Sequence, residues 1–252
     1  MINLSKRLQT IAGQVLPGQR VADIGSDHAL LPVYLVQKGV APAVIAGEVN
    51  QGPYQAAVQQ VKAAGLSARI EVRKGNGLAV LEPGEADAIT IAGMGGSLIV
   101  SILTEGLNKL EGVSRLILQP NVGEEAVRRF LVEQGWKLEA EQILEEDGKI
   151  YEILTAGRTP VPLEENEKLY KPRSVRGVSL SAERLLAMGP YLIEEGSAVF
   201  ERKWLMEVEK LGKISRQLEG SELDASRLKR DLLQKEVAEI KEVIRCLPRD
   251  KR

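Results

Sequence analysis

The sequence predicts an α/β domain, a doubly wound and mostly parallel sheet ending in an antiparallel hairpin, with a helical region after it. Three observations carry this. Short apolar runs alternate with amphipathic ones from residue 20 to about 157, the order of repeated strand–helix units. The last two runs, Trp136–Glu145 and Lys149–Thr155, meet at Glu146-Asp-Gly148 and read as paired antiparallel strands. Beyond residue 157 come two long charged runs whose apolar residues recur at steps of three and four.

The elements follow in order. Ser5 caps a short first helix with Leu4, Leu8, Ile11, Ala12 and Val15 at helical spacing, ended by Pro17-Gly18. That helix covers the sheet edge or, alternatively, brings Lys6 and Arg7 to a substrate. Val21–Ile24 is the first strand and Ala29–Gln37 its helix. Ala43–Glu48 is the second strand, followed by a helix over Gly52–Ala64 with Pro53 in its first turn. Ile70–Lys74 is the third strand and Ala88–Ala92 the fourth, with a helix over Gly96–Gly106. Arg115–Gln119 is the fifth, with a helix over Glu124–Gln134. This makes five strand–helix units before the hairpin.

Arg158-Thr-Pro-Val-Pro162 reads as a linker, so the domains are expected at 1–158 and 159–252. Glu164–Leu169 and Gly177–Leu186 precede the long runs. Val199–Leu218 carries Phe200, Trp204, Val208, Leu211, Ile214 and Leu218. Ser226–Leu247 carries Leu233, Val237, Ile240, Ile244 and Leu247. With a turn at Glu219-Gly-Ser-Glu222 they form an antiparallel hairpin of coiled-coil type, whose stripes, Trp204 included, are core.

Composition narrows the functions. The 252 residues hold one cysteine, Cys246, and one histidine, which removes an internal disulfide and a His/Cys metal cluster. No metal site is expected, and no run of about 18 apolar residues suggests a membrane span. The N-terminus lacks the apolar core of a signal peptide, so a cytoplasmic protein is expected. Aromatic residues are 4%, too few for extensive base stacking along a single strand. Residues 1–159 hold 15 Lys/Arg against 18 Asp/Glu, and residues 160–252 hold 19 against 17. Within that mildly basic tail, Lys168, Lys171, Arg173 and Arg176 either neutralise phosphates or form an ordinary exposed linker.

The chemistry lies in loops at strand ends. Asp23 ends the first strand, where a carboxylate can accept from the ammonium of an amino-acid ligand, and Gly25 lets the chain turn close to it. Ser26, Asp27 and His28 complete the loop. A dinucleotide fingerprint needs a second glycine where Asp27 stands. An acid there repels a pyrophosphate and favours sulfonium and ammonium charge, so the expected cofactor is S-adenosyl-L-methionine rather than NAD. The terminal hairpin agrees: dinucleotide-binding domains add a sixth parallel strand, whereas class I methyltransferases of the Rossmann-like type end on an antiparallel pair.

Glu48, with Val49 after it, stands where an acid holds ribose hydroxyls. Asn76 and Gly77 follow the third strand, where an amide can meet adenine. Ala92, Gly93 and Met94, expected to contact the cofactor, open a stretch with three glycines in the four residues Gly93–Gly96, which also lets backbone approach a flat substrate. Gln119-Pro-Asn121 ends the fifth strand on the same side, with groups suited to a base edge. Asn121 and the Gly93–Gly96 backbone are the candidates for orienting a base. Asp27 is the nearest acid for balancing charge or taking a proton, or else it caps the loop. His28 reads as a loop-shaping hydrogen-bond partner or as a general base.

Six motifs in order carry a resemblance: Asp23-Ile-Gly-Ser-Asp-His28, Gly47-Glu-Val49 with Gly52-Pro53, Gly75-Asn-Gly-Leu78, Ile91-Ala-Gly-Met-Gly-Gly96, Leu118-Gln-Pro-Asn121 and Asp147-Gly-Lys-Ile-Tyr-Glu152. The set resembles the TrmK family of bacterial tRNA (adenine-N1)-methyltransferases acting at tRNA position 22. The resemblance implies S-adenosyl-L-methionine as cofactor, tRNA as partner and a C-terminal coiled coil. Two positions depart from it, Asn76 where that family usually has aspartate and Leu30 where it usually has tyrosine. Other readings are a class I methyltransferase for another substrate, an NAD-binding oxidoreductase, and a non-catalytic module whose helices recruit a partner. A monomer is the working expectation.

Overall fold

Seven strands form one sheet in the order β3-β2-β1-β4-β5-β7-β6, and the chain's residues fall into two compact units, Met1–Lys168 and Leu169–Arg252. The computed structural model describes residues 2–218 and 224–247. The first unit starts with α1 (Lys6–Ala12), whose N-cap Ser5 accepts from the Leu8 amide. Strands β1 (Val21–Ile24), β2 (Val44–Glu48), β3 (Ile70–Lys74), β4 (Ala88–Gly95) and β5 (Arg115–Val122) are parallel to one another. Helices α2 (Leu30–Gln37), α3 (Gln51–Ala63), α4 (Gly96–Glu105) and α5 (Glu124–Glu133) connect or flank them.

β1 is buried along its whole length, which is why Val21-Ala-Asp-Ile24 reads as a continuous rather than alternating run. Strand order reverses beside it: β2 and β3 lie on one side, β4 and β5 on the other. That reversal opens a crevice at the carboxyl ends of β1 and β4. β7 (Lys149–Gly157) pairs antiparallel with β5, and β6 (Lys137–Glu146) pairs antiparallel with β7. Beneath this pair, Arg128 of α5 is fully buried between Glu141 of β6 at 2.6 Å and Glu152 of β7 at 2.5 Å.

Several expectations need correction. After β3 comes only a short 3-10 turn, Gly77–Val80, because the glycines and Pro83 leave too little chain for a helix before β4. β4 and β5 run on to Gly95 and Val122, through residues expected to be loop. Pairing continues with register shifts at Met94, so the partner strand overrides the turn preference of glycine and proline.

The division between units falls after Lys168 rather than at 158. Arg158–Pro162 leads into α6 (Pro162–Tyr170), where Asn166 donates to the Trp136 carbonyl at 3.0 Å and Glu165 pairs with Lys137 at 2.9 Å. Those bonds fasten α6 to the start of β6.

The second unit holds a small hairpin, β8 (Arg173–Val175) with β9 (Val178–Leu180), turned by Arg176 and Gly177 at φ 50° and 86°. Then come α7 (Ala182–Met188), α8 (Pro190–Glu195), α9 (Ala198–Gln217) and α10 (Asp224–Arg245). α9 and α10 pack on each other. Phe200, Trp204, Leu211, Ile240, Val243 and Leu247 are buried, with Val243 taking the interior place expected for Ile244. The expected turn at Glu219–Glu222 lies outside the described residues.

Candidate active site at the sheet's switch point

A cavity of about 600 Å³ occupies the crevice. Its walls come from four strand ends: Asp23–His28 after β1, Gly47–Asn50 at β2, Gly75–Gly77 after β3, and Ala92–Met94 at β4. Of the residues that the sequence picks out, Asp23, Gly25, Ser26, Asp27, His28, Glu48, Val49, Asn76, Gly77, Ala92, Gly93 and Met94 all line it; Asn121 does not.

Asp23 lies at the floor, almost fully buried. Its Oδ1 accepts from Thr90 Oγ1 and its Oδ2 from Ser26 Oγ, both at 2.6 Å. Burial pushes this carboxyl above the usual range; the bonds from Ser26 and Thr90 oppose the rise, as does Arg7, and the neighbouring Glu48 charge adds to it. Thr90 faces Asp23 across the β1–β4 ladder. A lone hydroxyl among Ala88-Ile-Thr-Ile-Ala92 was a readable signal for that partnership.

Above Asp23 the chain turns at Gly25, whose φ is 73° and whose amide donates to the Gly47 carbonyl at 2.9 Å. The turn itself calls for glycine, and a Cβ there would stand 2.1 Å from Met94 Cε, so the flexible tip of Met94 would have to swing aside. Asp27 and Ala29 also take left-handed conformations, φ 51° and 53°, each costing on the order of 1 kcal/mol. Such backbone persists only where surroundings hold it.

Glu48 supplies that hold. Its Oε2 accepts from the Asp27 amide at 3.2 Å, and its Oε1 from the amides of Val49 and Asn50 at 3.0 and 3.1 Å. One acceptor position on Oε2 stays available to a ligand hydroxyl. The Asp27 and His28 side chains are exposed and face each other at 3.5 Å.

The opposite wall is the β4 end. Gln119, fully buried, accepts on Oε1 from the Gly93 amide at 3.1 Å and from Arg7 Nη1 at 2.6 Å. Arg7 lies over the Tyr151 ring, 5.3 Å from its centroid, and lines the cavity. Of the two roles open to α1, the structure thus brings Arg7, not Lys6, to the site. Asn121 donates to the Gly93 carbonyl at 2.8 Å and accepts from Gln119 Nε2 at 3.1 Å. Both ends of its amide serve protein, because β5 carries it past the crevice and onto the back of the Gly93 bulge.

The crevice fits S-adenosyl-L-methionine: a buried acid sits below a glycine turn, a second acid ends β2, and the volume suits a nucleoside-sized ligand. The family described as TrmK, tRNA (adenine(22)-N(1))-methyltransferase, matches residues 21–242. The chain belongs to this family. It is 44% identical over 244 residues to the tRNA (adenine(22)-N(1))-methyltransferase of Bacillus subtilis, covering 96% of this chain and 98% of that one. The crystal structure of the B. subtilis M1A22 tRNA methyltransferase TrmK superposes with a TM-score of 0.87 at 42% identity, covering 97% and 100% of the two chains. A Streptococcus pneumoniae structure, described as a candidate tRNA (m1A22) methyltransferase in complex with S-adenosyl-L-methionine, gives a TM-score of 0.79 at 42% identity over 96% and 100%. The first unit therefore has the Rossmann-like fold of these methyltransferases.

The tail cations expected to meet phosphate are partly committed. Arg173 pairs with Glu194 at 2.9 Å, and Arg176 donates to the Glu194 carbonyl at 2.8 Å, while Lys168 and Lys171 are exposed. Among the described residues, no group of three or more His, Cys, Asp or Glu is placed to hold a metal, and no helix is long and apolar enough to cross a membrane.

Proposed function

We propose that this protein methylates N1 of adenine 22 in tRNA, using S-adenosyl-L-methionine, in the cytoplasm. The observation that carries the reading is the buried Asp23 carboxylate beneath the Gly25 turn, at the switch point of a chain in the TrmK family. Bound S-adenosyl-L-methionine supplies an electrophilic methyl group on a sulfonium. Asp23 receives the ammonium of its amino-acid end, with the Gly25–Ser26 backbone beside it. Glu48 accepts from a ribose hydroxyl, Val49 covers the adenine, and Asn76 and Gly77 meet its edge. Ala92, Gly93 and Met94 form the wall against which the target base lies.

The target adenine leaves its stack to reach that wall. Its N1 lone pair is the nucleophile, so alignment and charge stabilisation are what the chain's residues contribute. Asp27, exposed at the cavity edge, balances the positive charge that develops on the methylated ring or takes a proton from N6. His28 shapes the Asp27 loop.

β6 and β7 serve as the terminal hairpin of a class I methyltransferase domain. α9 and α10 form a coiled-coil hairpin that holds folded tRNA, with Lys168 and Lys171 as exposed cations near the start of that region. Incubation with methyl-labelled S-adenosyl-L-methionine and bulk tRNA, followed by nucleoside analysis, tests the reading. Label in 1-methyladenosine is expected; label in another nucleoside, or none, contradicts it.

A further inference from the structure

Gly93 is clamped at both ends. Its amide donates to Gln119 Oε1, its carbonyl accepts from Asn121 Nδ2, and Gln119 Nε2 donates onward to Asn121 Oδ1, closing a ring of three hydrogen bonds at 3.1, 2.8 and 3.1 Å. The Gln119 amide has no capacity left over: Oε1 also takes Arg7 Nη1 at 2.6 Å, and Nε2 also donates to the Pro120 carbonyl at 2.9 Å. Only one orientation of the amide works. Reversed, its NH₂ would face two donors, the Gly93 amide and the Arg7 guanidinium.

The ring sits where β4 slips register against β5 on both sides of Met94. Gly93, at φ 77°, has access to conformations closed to other residues, so the fold alone does not fix this bulge. Arg7 fixes it from a third element. Its guanidinium stacks on Tyr151, and the backbone amides of Lys6 and Arg7 both donate to the Glu146 carboxylate. The consequence reaches the cofactor side through Met94, whose Cε fills the space above Gly25.

We propose that Arg7, Gln119 and Asn121 act as one latch that sets the Gly93–Met94 wall, making Gln119 and Asn121 positioning residues for methyl transfer rather than contacts to base or cofactor. The proposal rests on the functional reading above. It differs from direct base recognition by Asn121 in one measurable respect: breaking the latch once is as damaging as breaking it twice.

The test compares Arg7→Met, Asn121→Ala and the double variant, with single-turnover methylation of saturating tRNA and titration calorimetry with S-adenosyl-L-methionine. Asn121 is exposed, so its truncation leaves the fold intact. Each single variant should lower the methylation rate by about 10- to 100-fold, the scale of sub-ångström misplacement; in Asn121→Ala, whose side chain lies outside the cavity, cofactor affinity should change less than about threefold. The double variant should match the slower single variant, because residues that act as a unit are non-additive. Multiplicative losses, or a wild-type rate in either single variant, would overturn the latch. A second readout needs no tRNA activity: Gly93 amide exchange should be slow in the wild type and accelerate in Asn121→Ala, and unchanged protection also refutes the proposal. A wild type that makes no 1-methyladenosine, with Gly93 exchange behaving as expected, instead sinks the functional reading and leaves the latch as a structural brace.

Discussion

The two walls of the cavity are built by opposite means. On the β1–β2 side, charge does the holding: Glu48 gathers three backbone amides from two loops, and Asp23 is fixed by hydroxyls three residues away and one strand over. On the β4 side the glycine itself is clamped by neutral amides and one guanidinium, reaching over more than 20 residues of sequence, and a carboxylate, Glu146, enters only behind Arg7. The first wall is suited to a cationic ligand that must be bound tightly. The second presents backbone, and under the proposed function it faces a flat, neutral base whose placement matters more than its affinity. Damage to the first should therefore read out in binding, and damage to the second in rate.

The largest expected effect is on the charged wall. Asp23→Asn should weaken S-adenosyl-L-methionine by about 100-fold in calorimetry, in line with losing one partner of a buried charge pair. A loss under threefold would mean the ligand's ammonium lies elsewhere. Next is the point where the walls touch. Gly25→Ala places a Cβ against Met94 Cε, 2.1 Å away, at a φ of 73°, and should reduce both affinity and rate by roughly tenfold. Adding Met94→Ala removes the clash and leaves the backbone strain, so partial recovery is expected; no recovery would show that the turn alone is responsible.

Asp27 offers a split between stability and activity. Asp27→Gly relieves the φ of 51° and should raise unfolding stability by about 0.5–1 kcal/mol, measured in urea, while slowing methylation. Asp27→Asn, which tolerates the same backbone, should slow methylation about as much without the stability gain. Equal rates in all three proteins would remove the carboxylate from catalysis.

The smallest effect is the pH response. Because the Asp23 pKa is raised on folding, the folded protein holds this proton more tightly than the unfolded chain does. Its contribution to stability is therefore complete below the unfolded value and declines as pH rises through the folded one. A cationic ligand favours the ionised form, so affinity should climb across that same window and release a proton. In Asp23→Asn both trends should flatten; a persistent climb would assign the proton to another group.

The contrast between the walls also explains what the sequence made legible. Asp23, Gly25 and Glu48 act on neighbours a few residues away or at the matching end of the next strand, so local spacing exposed them. The parallel order of β1 to β5 followed from continuous apolar runs in the same way. The latch was illegible because Arg7, Gly93 and Asn121 meet only once β4 and β5 continue through Gly93–Gly95 and Pro120–Asn121, residues whose own preference is to turn. The β8–β9 hairpin escaped for a related reason: three-residue strands carry too little alternation to show, and Arg176 at φ 50° gives its turn no glycine at the first position. Trp136 and Asn166 hold the start of α6 to the first unit through a contact across 30 residues that no linker composition announces.

The central claim is that this cavity methylates one adenine of a folded tRNA. Two transcripts of the same tRNA, one with adenine and one with guanine at position 22, should be incubated with the protein and methyl-labelled S-adenosyl-L-methionine. The account predicts one 1-methyladenosine per molecule in the first and no label in the second. Equal labelling of both transcripts, or no labelling of either, would contradict it.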